Sequence, residues 1–139
     1  MTMSDKRRIL IVEDNHDIAE LLVIRLELAG YMTSVARNVD SALSQVFSFK
    51  PAGILLDIGL PDGDGFAVLK ALKVGAKTRD IPVLMLTARQ AMSDIQRALA
   101  LGAQDYVTKP FDDQKLLQRV ARLLGLPIPK LVKEQTLYR

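Results

Sequence analysis

The stretch LIVEDNHD, residues 10–17, places acidic side chains directly after a run of apolar residues. The apolar run is typical of a buried β-strand, whereas Glu13, Asp14 and Asp17 all carry negative charge. Burying like charges together has a high free-energy cost. A fold that buries this strand must therefore supply a positive charge near its acidic end.

Outward from this stretch, short apolar runs alternate with segments of helical periodicity. The runs ILIV, ILL and VLML are apolar at every position, which is typical of strands covered on both faces in a parallel sheet. Gly30 is expected to end the first helix, and Asn38 can cap the second. We predict an α/β domain in which helices cover both faces of a doubly wound, five-stranded parallel sheet. The predicted strands are 8–13, 31–36, 53–56, 82–87 and 104–108, and the predicted helices are 17–29, one that follows Asn38, 66–73, 93–101 and 112–124.

The first predicted helix carries more apolar residues than one stripe toward the sheet requires. Val23 and Leu28 lie off that stripe. They form either a broad contact face within the domain or a surface that docks against the helices of a partner. The residues predicted to face the sheet are Ile18, Leu21, Leu22 and Leu26.

The residues that end the strands are the most informative, because ligands bind beyond the carboxyl ends of the strands in an open parallel sheet. Glu13 and Asp14 end the first strand, Asp57 the third and Thr87 the fourth, and Lys109 follows the fifth. For the strand order 2-1-3-4-5, the crevice opens between the first and third strands and places Asp14 opposite Asp57. We therefore expect three carboxylates, a hydroxyl and an ammonium group at one edge of the sheet.

This set of side chains predicts a site for a divalent cation. Three carboxylates and one lysine leave about −2 of charge in a small cleft, and like charges 4 Å apart repel by about 4 kcal/mol at an effective dielectric constant of 20. A divalent cation would cancel that charge. Because the ligands are carboxylate oxygens and the chain has no cysteine, Mg²⁺ or Mn²⁺ is expected rather than zinc.

A metal ion, a lysine and a hydroxyl around one carboxylate are the groups that phosphoryl transfer requires. The metal ion and Lys109 would neutralise charge on the transferring oxygens, and Thr87 would donate a hydrogen bond. Asp57 is predicted to be the nucleophile that becomes an acyl phosphate.

Over residues 6–124 this pattern resembles the receiver domain of two-component response regulators. The acidic pair of the family is matched by Glu13 and Asp14, its phospho-acceptor by Asp57 in LLDIGLPDGDGF, its hydroxyl by Thr87 in MLTA and its lysine by Lys109 in TKPF. The resemblance implies a flavodoxin-like fold and phosphoryl transfer from the phosphohistidine of a histidine kinase or a histidine phosphotransfer protein. It also implies that phosphorylation remodels the face formed by the fourth helix, the fifth strand and the fifth helix.

Further roles come only from this resemblance. It implies that Gly59 offers its backbone carbonyl to the metal ion and that the peptide bond between Lys109 and Pro110 is cis. Thr87 and Tyr106 are the implied switch residues: Thr87 would swing toward the phosphoryl group, and Tyr106 would turn into the space that Thr87 leaves.

Length and composition set further limits. The 139 residues suit one domain, 1–124, followed by a linker or C-terminal extension, 125–139, in which Pro127 and Pro129 prevent a regular continuation of the last helix.

The chain has no cysteine, no signal peptide and no run of membrane-spanning length, so we expect a cytoplasmic protein without membrane contact. Its net charge of +3 is scattered, and we expect no direct binding of nucleic acid.

Two other classes of function fit the sequence less well. A phosphohydrolase of the haloacid dehalogenase class, which also uses an aspartyl nucleophile, would need a second Asp two residues later, where this chain has Gly59. A binding module of flavodoxin type would hold a phosphate cofactor after the first strand, where the negative charge of EDNHD repels phosphate. We expect a protein that accepts and loses a phosphoryl group and is not an enzyme that turns over a substrate.

The output of such a receiver stays open. The chain is either a stand-alone receiver or relay, or the N-terminal receiver of a DNA-binding transcriptional regulator. Winged-helix regulators use charged pairs on the fourth helix, fifth strand and fifth helix to form a phosphorylation-dependent homodimer, and Arg97, Asp105 and Arg119 fit that pattern. Acids expected at other positions of this face are replaced by Ala100, Gln104 and Lys115.

Overall fold

The computed structural model describes residues 7–60, 65–87 and 92–129, and within them five strands alternate with five helices. The strands are β1 (Arg8–Val12), β2 (Met32–Ala36), β3 (Gly53–Asp57), β4 (Val83–Thr87) and β5 (Asp105–Thr108). The helices are α1 (His16–Leu28), α2 (Val39–Phe49), α3 (Gly65–Val74), α4 (Met92–Ala100) and α5 (Asp113–Leu124). All strand pairs are parallel, in the order β2-β1-β3-β4-β5, which confirms the predicted doubly wound sheet.

The sheet separates two apolar layers. Leu10 and Val12 of β1 pack in the layer covered by α2, α3 and α4, whereas Ile9 and Ile11 pack in the layer covered by α1 and α5. This alternation follows from the two-residue period of a strand. Every residue of β3 and β4 is buried, as expected for central strands with helices on both faces.

Local sequence signals fix the ends of the elements. Every predicted bound lies within one residue of the observed bound. The side-chain oxygen of Asn38 accepts a hydrogen bond from the backbone N–H of Ser41 (2.8 Å), which confirms the predicted cap of α2. Gly30 follows α1 with a φ of 96°, a conformation that favours glycine.

Among the described residues, no helix is long and apolar enough to cross a membrane.

The prediction for the core-facing side of α1 is wrong at Leu21. That side chain is 38% exposed, and Ala19 takes the buried position instead. Each residue of a helix is rotated by about 100° from the one before it, so Ala19 shares the face of Leu22 whereas Leu21 does not. Val23, predicted to lie off this face, packs against the layer under α1, and Leu28 is 80% exposed.

Gly65, the first residue of α3, packs directly on the end of β3. A Cβ atom at this position would overlap the carbonyl oxygen of Asp57 and lie 2.8 Å from the Cα of Ile58. The backbone N–H of Gly65 also donates a hydrogen bond to the carbonyl of Ile58. The start of α3 therefore holds the backbone that carries the Asp57 side chain, and only glycine leaves room for this contact.

We predict that Gly65→Ala destabilises the chain by about 1–3 kcal/mol, because the added methyl group forces the ends of β3 and α3 apart. Chemical denaturation measures the change. Gly59→Ala is the matched control, since a Cβ atom at Gly59 has no neighbour within 4 Å, and it is expected to change stability by less than about 0.5 kcal/mol. Equal stability of the two variants would contradict the prediction.

Candidate functional site

The strand ends converge at the carboxyl edge of the sheet as predicted. Asp57 ends β3 and Thr87 ends β4, while Glu13 follows β1 and Lys109 follows β5. The Nζ atom of Lys109 lies 2.7 Å from Oε1 of Glu13 and 3.4 Å from Oδ1 of Asp57. Side chains that are up to 96 positions apart in the sequence thus meet in one cluster.

Glu13, Asp14 and Asp57 form an acidic cluster in which one carboxylate oxygen of each lies within 4.8 Å of the others. Asp14 is exposed, whereas Glu13 and Asp57 are buried. Three negative charges at this spacing are compensated only in part by Lys109. Carboxylate oxygens at an edge where Asp14 is exposed fit Mg²⁺ or Mn²⁺, which prefer oxygen ligands.

The burial and the negative charge at this edge both affect the pKa of Glu13. The side chain is 1% exposed, and this burial is the main cause that raises the pKa of the Glu13 carboxyl. The hydrogen bond from Lys109 lowers that pKa, whereas the hydrogen bond and the charge of Asp57 raise it further. Burial and the second carboxylate outweigh the lysine, so the ionised site is short of positive charge.

The loops after β1 and β3 orient the carboxylates through backbone N–H groups. Oε2 of Glu13 accepts a hydrogen bond from the N–H of Asn15 (3.2 Å), and the Asn15 side chain caps α1. Oδ1 of Asp57 accepts a hydrogen bond from the N–H of Gly59 (3.2 Å). Gly59 therefore lies beside the cluster, and its N–H helps to fix the rotamer of Asp57.

Thr87 and Tyr106 lie on neighbouring strands and on the same side of the sheet. In the register of β4 and β5, Thr87 is opposite Thr108 and Tyr106 is opposite Met85. Because side chains alternate along a strand, Thr87 and Met85 point to one side, and so do Thr108 and Tyr106. Thr87 is buried and Tyr106 is half-buried against the layer under α3 and α4. The bond between Lys109 and Pro110 is cis, as the resemblance implied.

Tyr106 also lines a cleft of about 460 Å³ on the face formed by α4, β5 and α5. Arg119 of α5 forms an ion pair with Asp105 (2.6 Å), and its guanidinium lies 5.8 Å from the centre of the Tyr106 ring. Arg97 of α4 stacks over the ring of Phe66 at 4.1 Å. The charged residues that the sequence assigned to a dimer interface therefore have partners within the chain.

The position of Gly65 against Asp57 is the part of the site that the sequence did not reveal. The sequence shows glycines in LPDGDGF, which are expected simply to permit a turn. Their spacing does not show that one of them contacts the backbone of the acidic residue. Within LPDGDGF, residues 61–64 lie outside the described residues.

Comparison with known proteins agrees with this geometry. Residues 9–121 match the family described as "Response regulator receiver domain". The chain is 44% identical over 128 residues to the phosphate regulon transcriptional regulatory protein PhoB of Klebsiella pneumoniae, and this match covers 92% of the chain and 56% of PhoB. The chain thus spans about half the length of the curated relatives it matches.

Solved structures of receiver domains have the same fold. The signal receiver domain of a signal transduction histidine kinase from Syntrophus aciditrophicus is 38% identical, with a TM-score of 0.78 over 90% of this chain and 96% of that one. The receiver domain of a sensor histidine kinase from Pseudomonas aeruginosa is 28% identical, with a TM-score of 0.79 over 86% of this chain and 97% of that one. That structure has a magnesium ion coordinated in its active site cleft. The matched family, the relatives and the acidic cluster lead to one conclusion: this chain belongs to the response regulator receiver domain family of two-component signal transduction.

Proposed function

We propose that this receiver accepts a phosphoryl group on Asp57 from the phosphohistidine of a histidine kinase or a histidine phosphotransfer protein. The observation that carries the proposal is the position of Lys109, whose Nζ atom lies between the carboxylates of Glu13 and Asp57. A lysine in this place neutralises an acid pair in the resting protein and offers a positive charge to an incoming phosphoryl oxygen.

The transfer uses Asp57 as the nucleophile. One of its carboxylate oxygens attacks the phosphorus atom, the bond between phosphorus and the donor histidine nitrogen breaks, and that nitrogen leaves with the electron pair. The hydrogen bond from Gly59 to Oδ1 and the contact of Gly65 with the backbone hold Asp57 in place for this attack. Lys109 then pairs with the phosphoryl oxygens, and Thr87 donates a hydrogen bond to them.

The side chains of Glu13, Asp14 and Asp57 and the backbone carbonyl of Gly59 would hold Mg²⁺ or Mn²⁺. The bound ion would neutralise charge on the transferring oxygens. The composition of the acidic cluster supports this assignment, since it offers carboxylate oxygens on a partly open edge.

Phosphorylation of Asp57 would add about −1.5 to −2 of charge at the end of β3. We propose that Thr87 moves toward this charge and that Tyr106 turns inward, which changes the face formed by α4, β5 and α5. The proximity of Arg119 to Tyr106 supports this proposal, because a rotation of the ring alters its contact with Arg119 and the wall of the cleft.

The same site argues against a turnover phosphohydrolase. Such an enzyme needs an acid and base beside the nucleophile, and Gly59 offers only backbone groups at that position. We propose that the acyl phosphate persists long enough to act as a signal and that slow hydrolysis resets the site.

The output of the receiver depends on what accompanies it. We propose that residues 1–124 form the receiver, that 125–139 form a linker or extension, and that the protein works in the cytoplasm. The similarity to half of PhoB supports an N-terminal receiver of a DNA-binding regulator, in which a domain other than the receiver contacts nucleic acid. The similarity to the receiver of a histidine kinase supports a relay.

A phosphorylation-dependent homodimer on the α4, β5 and α5 face is a second candidate for the output. Arg97, Asp105 and Arg119 lie on this face, but each would have to leave its partner within the chain. Sedimentation with and without beryllofluoride, for the unmodified chain and for Asp57→Asn, separates a dimer that depends on activation from a constitutive monomer.

We predict that the intact mass increases by one phosphoryl group when the chain is incubated with Mg²⁺ and acetyl phosphate, and that Asp57→Asn prevents this gain. The amide cannot act as the nucleophile that a carboxylate provides. Asp17→Asn is the matched control, because Asp17 is a fully exposed acid of α1, and it should be phosphorylated like the parent chain. A mass gain that survives Asp57→Asn would refute the assignment.

We also predict that Mg²⁺ stabilises the chain against unfolding, by about 2.7 kcal/mol at a concentration 100 times its dissociation constant. Asp14→Asn should weaken this effect without loss of packing, since Asp14 is exposed. Denaturation at a series of Mg²⁺ concentrations measures the dissociation constant, with Asp17→Asn again as the control. An unchanged dissociation constant in Asp14→Asn would remove Asp14 from the metal site.

A further inference from the structure

Helix α1 carries an apolar stripe on its outer surface. Leu21, Ile24 and Leu28 are 38%, 45% and 80% exposed, and their spacing of three and seven residues places them on one face. Leu21 and Leu28 lie one turn to either side of Arg25, which forms an ion pair of 2.6 Å with Asp113 of α5. The stripe therefore borders the side of α1 that faces α5.

The chain doubles back after α5. Gly125 adopts a φ of 67°, and the N–H of Leu126 donates a hydrogen bond to the carbonyl of Ala121 (2.9 Å). Leu126 is buried in the layer under α1 and α5. The amide of Gln118 then reaches the carbonyl of Pro129 at 3.5 Å. Residues 126–129 thus run from the end of α5 back toward the first turn of α5. In that first turn, Asp113 pairs with Arg25 of α1.

The sequence that follows Pro129 complements this surface. The outer side of α1 carries the exposed acids Asp17 and Glu20, whereas Arg25 is already paired with Asp113 and Glu27 accepts a hydrogen bond from Thr33 of β2. Residues 130–139, KLVKEQTLYR, lie outside the described residues, and their sequence combines three cations with one acid and several apolar side chains. The cations are Lys130, Lys133 and Arg139, and the apolar side chains are Leu131, Val132, Leu137 and Tyr138.

The length of this segment is sufficient to reach the stripe. Leu21 and Leu28 are seven residues apart on a helix, a distance of about 10 Å. Ten residues in an extended conformation cover about 33 Å. A segment that starts from Pro129 and continues in the same direction can therefore pass along the whole stripe.

We propose that residues 130–139 dock on the stripe formed by Leu21, Ile24 and Leu28 of the same chain. The apolar side chains of the segment cover the stripe, and its lysines and arginine lie beside the acids of α1. A second copy of the chain is a poorer occupant, because pairing two α1 faces brings their acids together. This surface is separate from the chemistry at Asp57, and the proposal does not depend on it.

The absence of native cysteine allows a direct test by disulfide formation in the full chain. We expect the chain with Ile24→Cys and Val132→Cys to form an intrachain disulfide in oxidised glutathione. The matched control combines Val132→Cys with Phe47→Cys, because Phe47 is 60% exposed on α2, which covers the opposite side of the sheet. Docking should make the first disulfide form at least about tenfold faster than the second through its higher effective concentration.

Adding Leu28→Asp to the chain with Ile24→Cys and Val132→Cys should slow disulfide formation toward the control rate, because it places a charge in the apolar stripe. Leu28 is 80% exposed, so this substitution should leave the fold intact. Adding Val74→Asp, a 75% exposed position on α3, should leave the rate unchanged. Equal rates for the two cysteine pairs, or no effect of Leu28→Asp, would overturn the proposal. Disulfides that form mainly between chains would overturn it in favour of a second copy.

Discussion

The structure depends on holding the buried carboxylates of Glu13 and Asp57 beside the ammonium group of Lys109. Each of these side chains follows or ends a strand packed between two apolar layers, so none can withdraw without disrupting the sheet. The contact of 2.7 Å between Lys109 and Glu13 compensates part of the charge, yet burial still keeps the pKa of Glu13 raised. The fold thus holds negative charge at this edge of the sheet, and that charge favours the binding of a cation. This explains why acidic residues follow an apolar strand.

The two sides of Asp57 differ in how tightly they are held. On one side, Gly65 contacts the backbone of Asp57 so closely that no side chain fits between them. On the other side, β5 is an edge strand, and Tyr106 is held mainly by half-burial and by its contact with Arg119. Under the proposed function, a new charge on Asp57 would be relieved toward β4 and β5 rather than toward α3, so that one fold would combine a fixed Asp57 with an adjustable surface.

The sequence predicts the fold and the members of the acidic cluster because both follow from strand periodicity. An apolar run followed by a polar side chain identifies the carboxyl end of a strand, and parallel strands bring these ends to one edge. The sequence predicts a buried Leu21 because leucine is more hydrophobic than alanine. The structure buries Ala19 instead, because the rotation of the helix places Ala19, and not Leu21, on the side that faces the sheet. The contact of Arg97 with Phe66 joins α4 to α3, and such contacts between elements depend on packing that periodicity does not encode.

The position of α1 connects the acidic edge to the rest of the surface. Its N-terminal cap, Asn15, donates its backbone N–H to Glu13, and the apolar stripe runs down the same helix from Leu21. Under the proposed function, a small phosphodonor would need only the open side of the cluster around the exposed Asp14. Under the proposed function, a protein donor would also contact the surface beside the cluster, and α1 forms part of that surface. The proposed docking of residues 130–139 on the stripe would therefore change the surface that a protein donor meets along α1, while the side chains around Asp57 stay the same.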